Sequence, residues 1–491
     1  MTQPSNDVYA AIALSRFGLG ADGNGIAPIV SDPRGVLREE ITERFVPVPV
    51  GPELQPSADL LVALYDFQEE RKQMRAQVQS VSAPAQSSGG HPDAVMSGVP
   101  TEGQKGEPPA MAKPAPAAPP PYLPQQVFLA ELDARFNGTI HQPLIGFGER
   151  LAMFWANHFA VSIASGEEVH ILAGAFEREA IRPHVFGRFS DMLLAVETHP
   201  AMLSFLDNRQ SIGPNSKANA NGKRGLNENL ARETLELHTL GVDGGYTQAD
   251  VTALARVITG WTVVRGQSPL GASGSFAFNG AAHEPGDQTL LGLTYANDGF
   301  AQGRDVLHDL SRHPATARHI ATKLARHFVA DAPPPALVQK LSATFTKTEG
   351  DLSAVYLALL DAEEAWDPKL AKVRSPHEFM IALLRASGER LKPNVIVNAL
   401  AAMGQRPWAP AGPNGFADTV DAWASSEGLS SRMDVANTIA NAMPPQTDPR
   451  RLVSAALGPL LSDETLQAVS RAETRGQGLS IAYLSPEFQR R

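Results

Sequence analysis

Apolar residues recur at three- and four-residue spacings through most of the chain, the period that lays them along one face of an α-helix. The pattern predicts a helix over 7–20 that runs into Arg16-Phe17-Gly18-Leu19-Gly20, where the glycines suit a helix end or tight turn. Further helices are predicted over about 34–45 and from about Ser57 to Val78. The helical period returns at Gln125 and holds to about Asn208. Arg182-Pro183 breaks it, and His199-Pro200 restarts it, because proline is favoured at the first helical position. After a polar loop over 209–225, a helix is predicted from Leu226 to Leu240, closed by Gly241. Thr247 and Asp250 form a capping box that opens the next helix, to about Thr259, and Ser375-Pro376-His377-Glu378 forms another. Helices fill the rest from about Ala301, apart from proline-rich loops at 332–335 and 407–415. The polar stretch after about Arg475 is expected to fray.

Two stretches depart from the helical period. Over 262–294, Phe276 and Phe278 alternate with small residues and Pro285-Gly286-Asp287 supplies a turn, which predicts a β-hairpin. Over 80–124 the chain is Ala, Pro, Ser, Gly and Gln, with Pro114-Ala115-Pro116 and Pro119-Pro120-Pro121. So few large apolar residues cannot offset the entropy of ordering, which predicts a disordered insertion serving as a surface excursion or a partner tether. The expected fold is therefore mainly α, a multi-helix globular fold with a small β-hairpin insertion and a long disordered Pro/Ala-rich insertion. Its expected parts are 1–79, 80–124, 125–300 and 301–491.

Composition narrows the function classes. With 491 residues, 43% hydrophobic, the chain can bury a large core. A net charge of −10 argues against a nucleic-acid partner, which normally demands a basic footprint. The absence of cysteine excludes disulfides, thiolate metal sites and cysteine nucleophiles. The N-terminal residues lack a basic region followed by an apolar run, so no signal peptide and a cytoplasmic location are expected. The apolar stretch from Leu151 to Ala164 is too short to span a bilayer and reads as a core helix. No GxxxxGK[ST] loop, HExxH helix or GxSxG elbow is present.

The most informative segment runs from Asn227 to His238. At 100° per residue, Leu230, Leu237 and Leu240 share one side, and Asn229, Glu233 and Glu236 border it. Carboxylates three residues apart are helix neighbours, and joint ionisation of such a pair resists burial. Glu233 and Glu236 thus suit general acid–base work or metal ligation, with Arg232 beside Glu236. Ion pairs to arginines of neighbouring helices are the plainer alternative. His238 projects away from Glu236, so the two cannot chelate one ion. His158 shares a face with Leu151 and Phe154, as a core histidine or a ligand. His283-Glu284 beside the hairpin turn either faces a cleft or is ordinary loop. His319, Lys323 and His327 fall at i, i+4 and i+8, which suits a metal, an anion or a solvated basic face. The expected catalytic set is Glu233, Glu236, Arg232, His283 and Glu284, with Asn229, Asn208, Asp207, Trp261 and Arg256 contacting substrate. A divalent metal would draw on Glu233, Glu236, His158 and His283. Carboxylate oxygens favour Ca²⁺ or Mg²⁺ there, and imidazoles favour Zn²⁺ or Mn²⁺.

Several blocks together carry a resemblance. They are Arg16-Phe17-Gly18-Leu19-Gly20, Phe154-Trp155-Ala156-Asn157-His158-Phe159, and Pro200-Ala201-Met202-Leu203 with Leu206-Asp207-Asn208. Asn227 through Val242, Gly245-Tyr246-Thr247-Gln248, Thr259-Gly260-Trp261 and Ser375-Pro376-His377-Glu378-Phe379 complete them. The chain so resembles the bacterial domain of unknown function 1800 family over nearly its whole length. That family shows His-Asp, then Gly and Lys, near the hairpin, whereas this chain has His283-Glu284, Gly286 and Gln288. The resemblance brings no reaction with it. It implies a partner similar to sulfatases and alkaline phosphatases, carrying a twin-arginine signal, and export to the periplasm as that partner's passenger. Two functions are expected in consequence. One is a carboxylate-centred, metal-assisted hydrolase of an ester or glycan. The other is a non-catalytic partner protein.

Overall fold

The helical period is realised as a mainly α-helical fold with short strands between Trp261 and Tyr295. The computed structural model describes residues 4–44, 46–82, 121–140, 145–220, 222 and 225–491. Helices Ser57–Ser82 and Leu123–Ile140 flank the expected insertion, whose residues 83–120 lie outside the described residues. Both predicted capping boxes form, at Thr247 with Asp250 and at Ser375 with Glu378. No helix among the described residues is long and apolar enough to cross a membrane.

Two expectations change. In place of one hairpin there are two antiparallel pairs, Trp261–Val263 with Phe276–Phe278 and Gln288–Leu290 with Leu293–Tyr295. The aromatic alternation pairs backward because Phe276 packs edge-on against the buried Trp261, 6.0 Å between ring centroids. The stretch after Arg475 does not fray. Arg475–Leu484 is a helix that buries Leu479, Ala482 and Tyr483, and the buried Arg491 side chain pairs with Glu378 at 3.0 Å. Charge pairing and a short apolar face hold a stretch whose composition alone looks too polar.

One contiguous cluster of buried apolar side chains runs from Ala10 to Phe488. The Arg16-to-Gly20 segment ties early chain to late chain through backbone carbonyls. The Arg16 guanidinium donates to the Ala365 carbonyl at 2.7 Å, 349 positions away. Arg150 donates to the Gly18 carbonyl at 2.8 Å, and Arg385 to that of Gly20 at 2.9 Å. A Cβ at Gly18 would lie 2.5 Å from the Ile145 carbonyl oxygen, so no other residue permits this approach.

Charges in the interior are paired. Arg182 bridges Glu149 and Glu177, each at 2.6 Å, and Arg135 reaches Glu177 at 3.2 Å. Burial alone would raise the Glu149 carboxyl, but Arg182, Arg135 and the Thr139 hydroxyl bring it below the ordinary carboxylate range. This contribution is present above the unfolded carboxylate pKa and is lost on acidification. Arg182→Met is expected to cost about 3–5 kcal/mol in urea unfolding at pH 7, because the buried Glu149 loses its ion-pair partner and Glu177 is left with Arg135 alone. A loss under about 1 kcal/mol would show that the network does not hold the fold.

Candidate functional site

Helix Phe147–His158 and helix Pro314–Phe328 face each other across a cavity of about 910 Å³. The proline-rich loop after Gln405 and the turn from Leu240 to Asp243 form other walls. Asn157 fixes that loop by reading its backbone in both directions. Its amide nitrogen donates to the Phe416 carbonyl at 2.9 Å, and its amide oxygen accepts the Phe416 N–H at 2.8 Å. Gly415, with φ +73°, passes so close that a Cβ would sit 2.3 Å from the Asn157 carbonyl oxygen.

The face carrying His319, Lys323 and His327 is a cavity wall, and this corrects the solvated basic face that the spacing permits. Lys323 Nζ donates to His158 Nδ1 at 2.8 Å. His158 is buried, and its Nε2–H donates to the His238 carbonyl at 3.1 Å. That carbonyl can only accept, so the His158 tautomer is set and Nδ1 is left as the acceptor. Burial, then the Lys323 and His319 charges, hold the His158 imidazole well below its ordinary range and therefore neutral. Burial pulls the Lys323 ammonium down to about 8, with Asp418 opposing and Arg326 adding to the effect. Among the described residues Lys323 forms no ion pair.

The segment after Asn227 meets the cavity through its backbone. Helix Asn229–Glu233 passes into a π-wound turn, Thr234–His238. The Leu237 carbonyl accepts the His319 Nε2–H at 3.1 Å, as the His238 carbonyl accepts that of His158. Two imidazoles thus satisfy carbonyls that the helix end leaves open. Gly241, at φ +84°, makes room for His319, whose Nδ1 would lie 2.8 Å from a Cβ there. The His238 ring is anchored on the far side by the buried Glu197, at 2.7 Å from Nδ1.

Asp418 stands at the other end of the cavity, paired with His327 at 2.7 Å and Lys372 at 3.2 Å. Burial opposes its charge, yet the His327 N–H, Arg491 and Lys372 hold its carboxyl far below the ordinary range. His327 is brought to about 4, by burial first, and is neutral at pH 7.

The glutamate-centred arrangement expected from the sequence is not assembled. A wheel drawn at 100° per residue fails once the helix turns π-wound at Thr234, since bonding changes from i+4 to i+5. Arg232 pairs with Glu228 at 3.2 Å and with Gln248 at 3.0 Å rather than with Glu236, which accepts from the Tyr246 hydroxyl at 3.3 Å. Glu233 is half-buried. Desolvation, with Glu236 in support, raises its carboxyl against His238 and Arg232. Neither glutamate lines the cavity. Asn229 and Asp207 are exposed. Asn208 is buried and donates to the Ile258 and Trp261 carbonyls at 3.1 and 3.3 Å, and Trp261 is core, so neither can meet a substrate. Arg256 is half-buried at the end of helix Gln248–Val257. His283 and Glu284 are buried stitches. His283 Nδ1 meets the Thr259 carbonyl at 3.0 Å, and Glu284 accepts the Asn215 backbone and side-chain N–H groups at 2.8 and 2.6 Å. Among the described residues no three His, Asp or Glu side chains approach closely enough to hold one ion. The proposed ligands Glu233, Glu236, His158 and His283 are therefore separate, and both His158 nitrogens are already engaged.

Glu233→Gln is expected to keep or raise stability at pH 7. The raised carboxyl is charged there at a cost that the amide does not carry, and no ion pair is broken. The gain should shrink as the pH falls into the carboxylate range, where the native protein binds the proton itself. A loss of several kcal/mol in chemical unfolding would instead make Glu233 a structural anchor.

Lys323 and its helix face were visible in the spacing, as was the proline-rich loop at 407–415, but Asp418, Glu197 and the docking of that loop on Asn157 were not. Only the single carboxylate of Glu197 closing an apolar run from Met192 to Val196 offered a signal. No curated protein and no solved structure matches the chain. The profile of the family described as "Protein of unknown function (DUF1800)" matches residues 12–490, and the chain belongs to that family.

Proposed function

We propose that this protein binds an organic anion in the cavity and acts on it by proton transfer at the Lys323–His158 pair. One observation carries the reading: a half-buried ammonium faces the cavity with a neutral imidazole as its hydrogen-bond partner and no carboxylate. Elsewhere in the interior, cationic groups are met by carboxylates, as Lys372 is by Asp331 and Arg150 by Glu378, or by carbonyl oxygens, as Arg16 is by Ala365 and Lys369. Arg318 and Arg326 line the same cavity, and among the described residues neither forms an ion pair. A charge left uncompensated in a low-dielectric site destabilises the empty protein and favours an arriving opposite charge. Phe154, Trp408 and Trp423 supply apolar wall for the organic part of a ligand.

The hydrolase centred on Glu233 and Glu236 is a second reading. The raised Glu233 carboxyl favours it, and the absence of both residues from the cavity counts against it. The sulfatase-like or phosphatase-like partner and the shared export route rest on the family resemblance alone.

The test uses inorganic phosphate and citrate as probes in thermal unfolding. Both are expected to raise the Tm of the native protein at pH 7, with the effect fading as pH rises through about 8, where Lys323 loses its proton. The groups around that amine are His158, His319, Arg326 and Asp418, and the two imidazoles stay neutral throughout this range. Lys323→Met should weaken the response markedly and raise the Tm of the anion-free protein at pH 7. A lowered lysine pKa means that the folded state disfavours the proton, so the empty native protein gains stability between about pH 8 and the ordinary lysine range. An undiminished anion response in Lys323→Met would overturn the reading.

A further inference from the structure

We infer that Lys323 is a covalent nucleophile that forms a Schiff base with an anionic aldehyde or ketone held in the cavity; this deepens the anion-site reading and rests on it. The argument is geometric. An activated nucleophile needs a base within hydrogen-bond reach and a third group that orients the base. Lys323 Nζ, His158 Nδ1 and the His238 carbonyl form that sequence, at 2.8 and 3.1 Å. Both side chains line the cavity, and the amine occupies the one ring nitrogen of His158 that is left to accept a proton. No ion pair holds the amine in its ammonium form, and its surroundings bring loss of its proton down to about pH 8. The neutral amine still donates one N–H to His158, which leaves its lone pair unused. Arg318 and Arg326 on the same helix would hold the anionic substituent while the carbonyl carbon meets Nζ.

The step balances without a cofactor. The Nζ lone pair forms a C–N bond to the carbonyl carbon, and the C=O π pair moves onto oxygen. His158 Nδ1 takes a proton from Nζ and becomes an imidazolium that still donates through Nε2–H to the His238 carbonyl. Burial makes that imidazolium a ready acid, so it passes the proton to the alkoxide and gives the neutral carbinolamine. As the nitrogen lone pair forms the C=N bond, His158 carries the second Nζ proton to the leaving hydroxyl in the same way. One water leaves as the C=N bond forms, and no electron is gained or lost.

The experiment treats the whole protein with pyridoxal 5′-phosphate, an aldehyde bearing a phosphate. Borohydride reduction and peptide mass spectrometry then follow. The expected result is one dominant adduct on Lys323, in preference to the exposed Lys340 and Lys347, and its suppression by excess inorganic phosphate. His158→Gln should slow the labelling of Lys323 by at least about tenfold. Phosphate stabilisation without preferential Lys323 labelling would overturn the nucleophile and leave the anion site standing. The absence of both would overturn the anion site as well. Labelling of Lys323 that phosphate does not suppress would also count against the inference, because the aldehyde would then not be entering as an anion.

Discussion

The His158 imidazole sits between Lys323 on one side and the His238 carbonyl on the other, and three distant stretches of chain meet there. Its helix, Phe147–His158, supplies two further contacts in the same turns. Trp155 donates to the Tyr356 hydroxyl at 2.7 Å, and Asn157 fixes the Phe416 loop. Because the imidazole is buried and its tautomer is set, it allows one arrangement of donor and acceptor. The π-wound turn is what brings the accepting carbonyl within reach. The switch to i+5 bonding between Thr234 and His238 sets the direction of the last carbonyls, which the helix end leaves open for the two imidazoles.

The distribution of charge gives this geometry its meaning. Buried guanidinium groups are met by carboxylates or by carbonyls: Arg182 by Glu149 and Glu177, Arg16 by Ala365 and Lys369, Arg491 by Glu378. Asp418 at one end of the cavity is itself surrounded by His327, Lys372 and Arg491. Against that background the Lys323 amine is the exception among these groups. A protein that pairs charge this thoroughly and leaves one cationic wall open is suited to a ligand that completes the pairing.

Much of the fold was legible from residue spacing. Helix starts at Thr247 and Ser375, the break at Arg182-Pro183 and the restart at His199-Pro200 all follow from local chemistry. The strand pairing was not legible, because Phe276 and Phe278 can pair with sequence on either side and a buried tryptophan decides the matter. The site was legible only in fragments. His158 and the His319–Lys323–His327 face were each visible, but their meeting joins residues 165 positions apart, which no local pattern encodes. The glutamates drew attention because a regular helix was assumed where the chain is π-wound. The distinctive residues from Leu235 to Gly241 serve the cavity through backbone carbonyls and a glycine rather than through carboxylates.

The central claim is that Lys323 stands in the cavity without a counter-ion. Its protonation can be followed directly by ¹³C NMR of protein labelled at lysine Cε, with the signal assigned through its loss in Lys323→Met. The account predicts one lysine that titrates near 8 in the anion-free protein and moves upward when phosphate is added. A Lys323 signal that titrates with the other lysines, near 10.4, and ignores phosphate would contradict it.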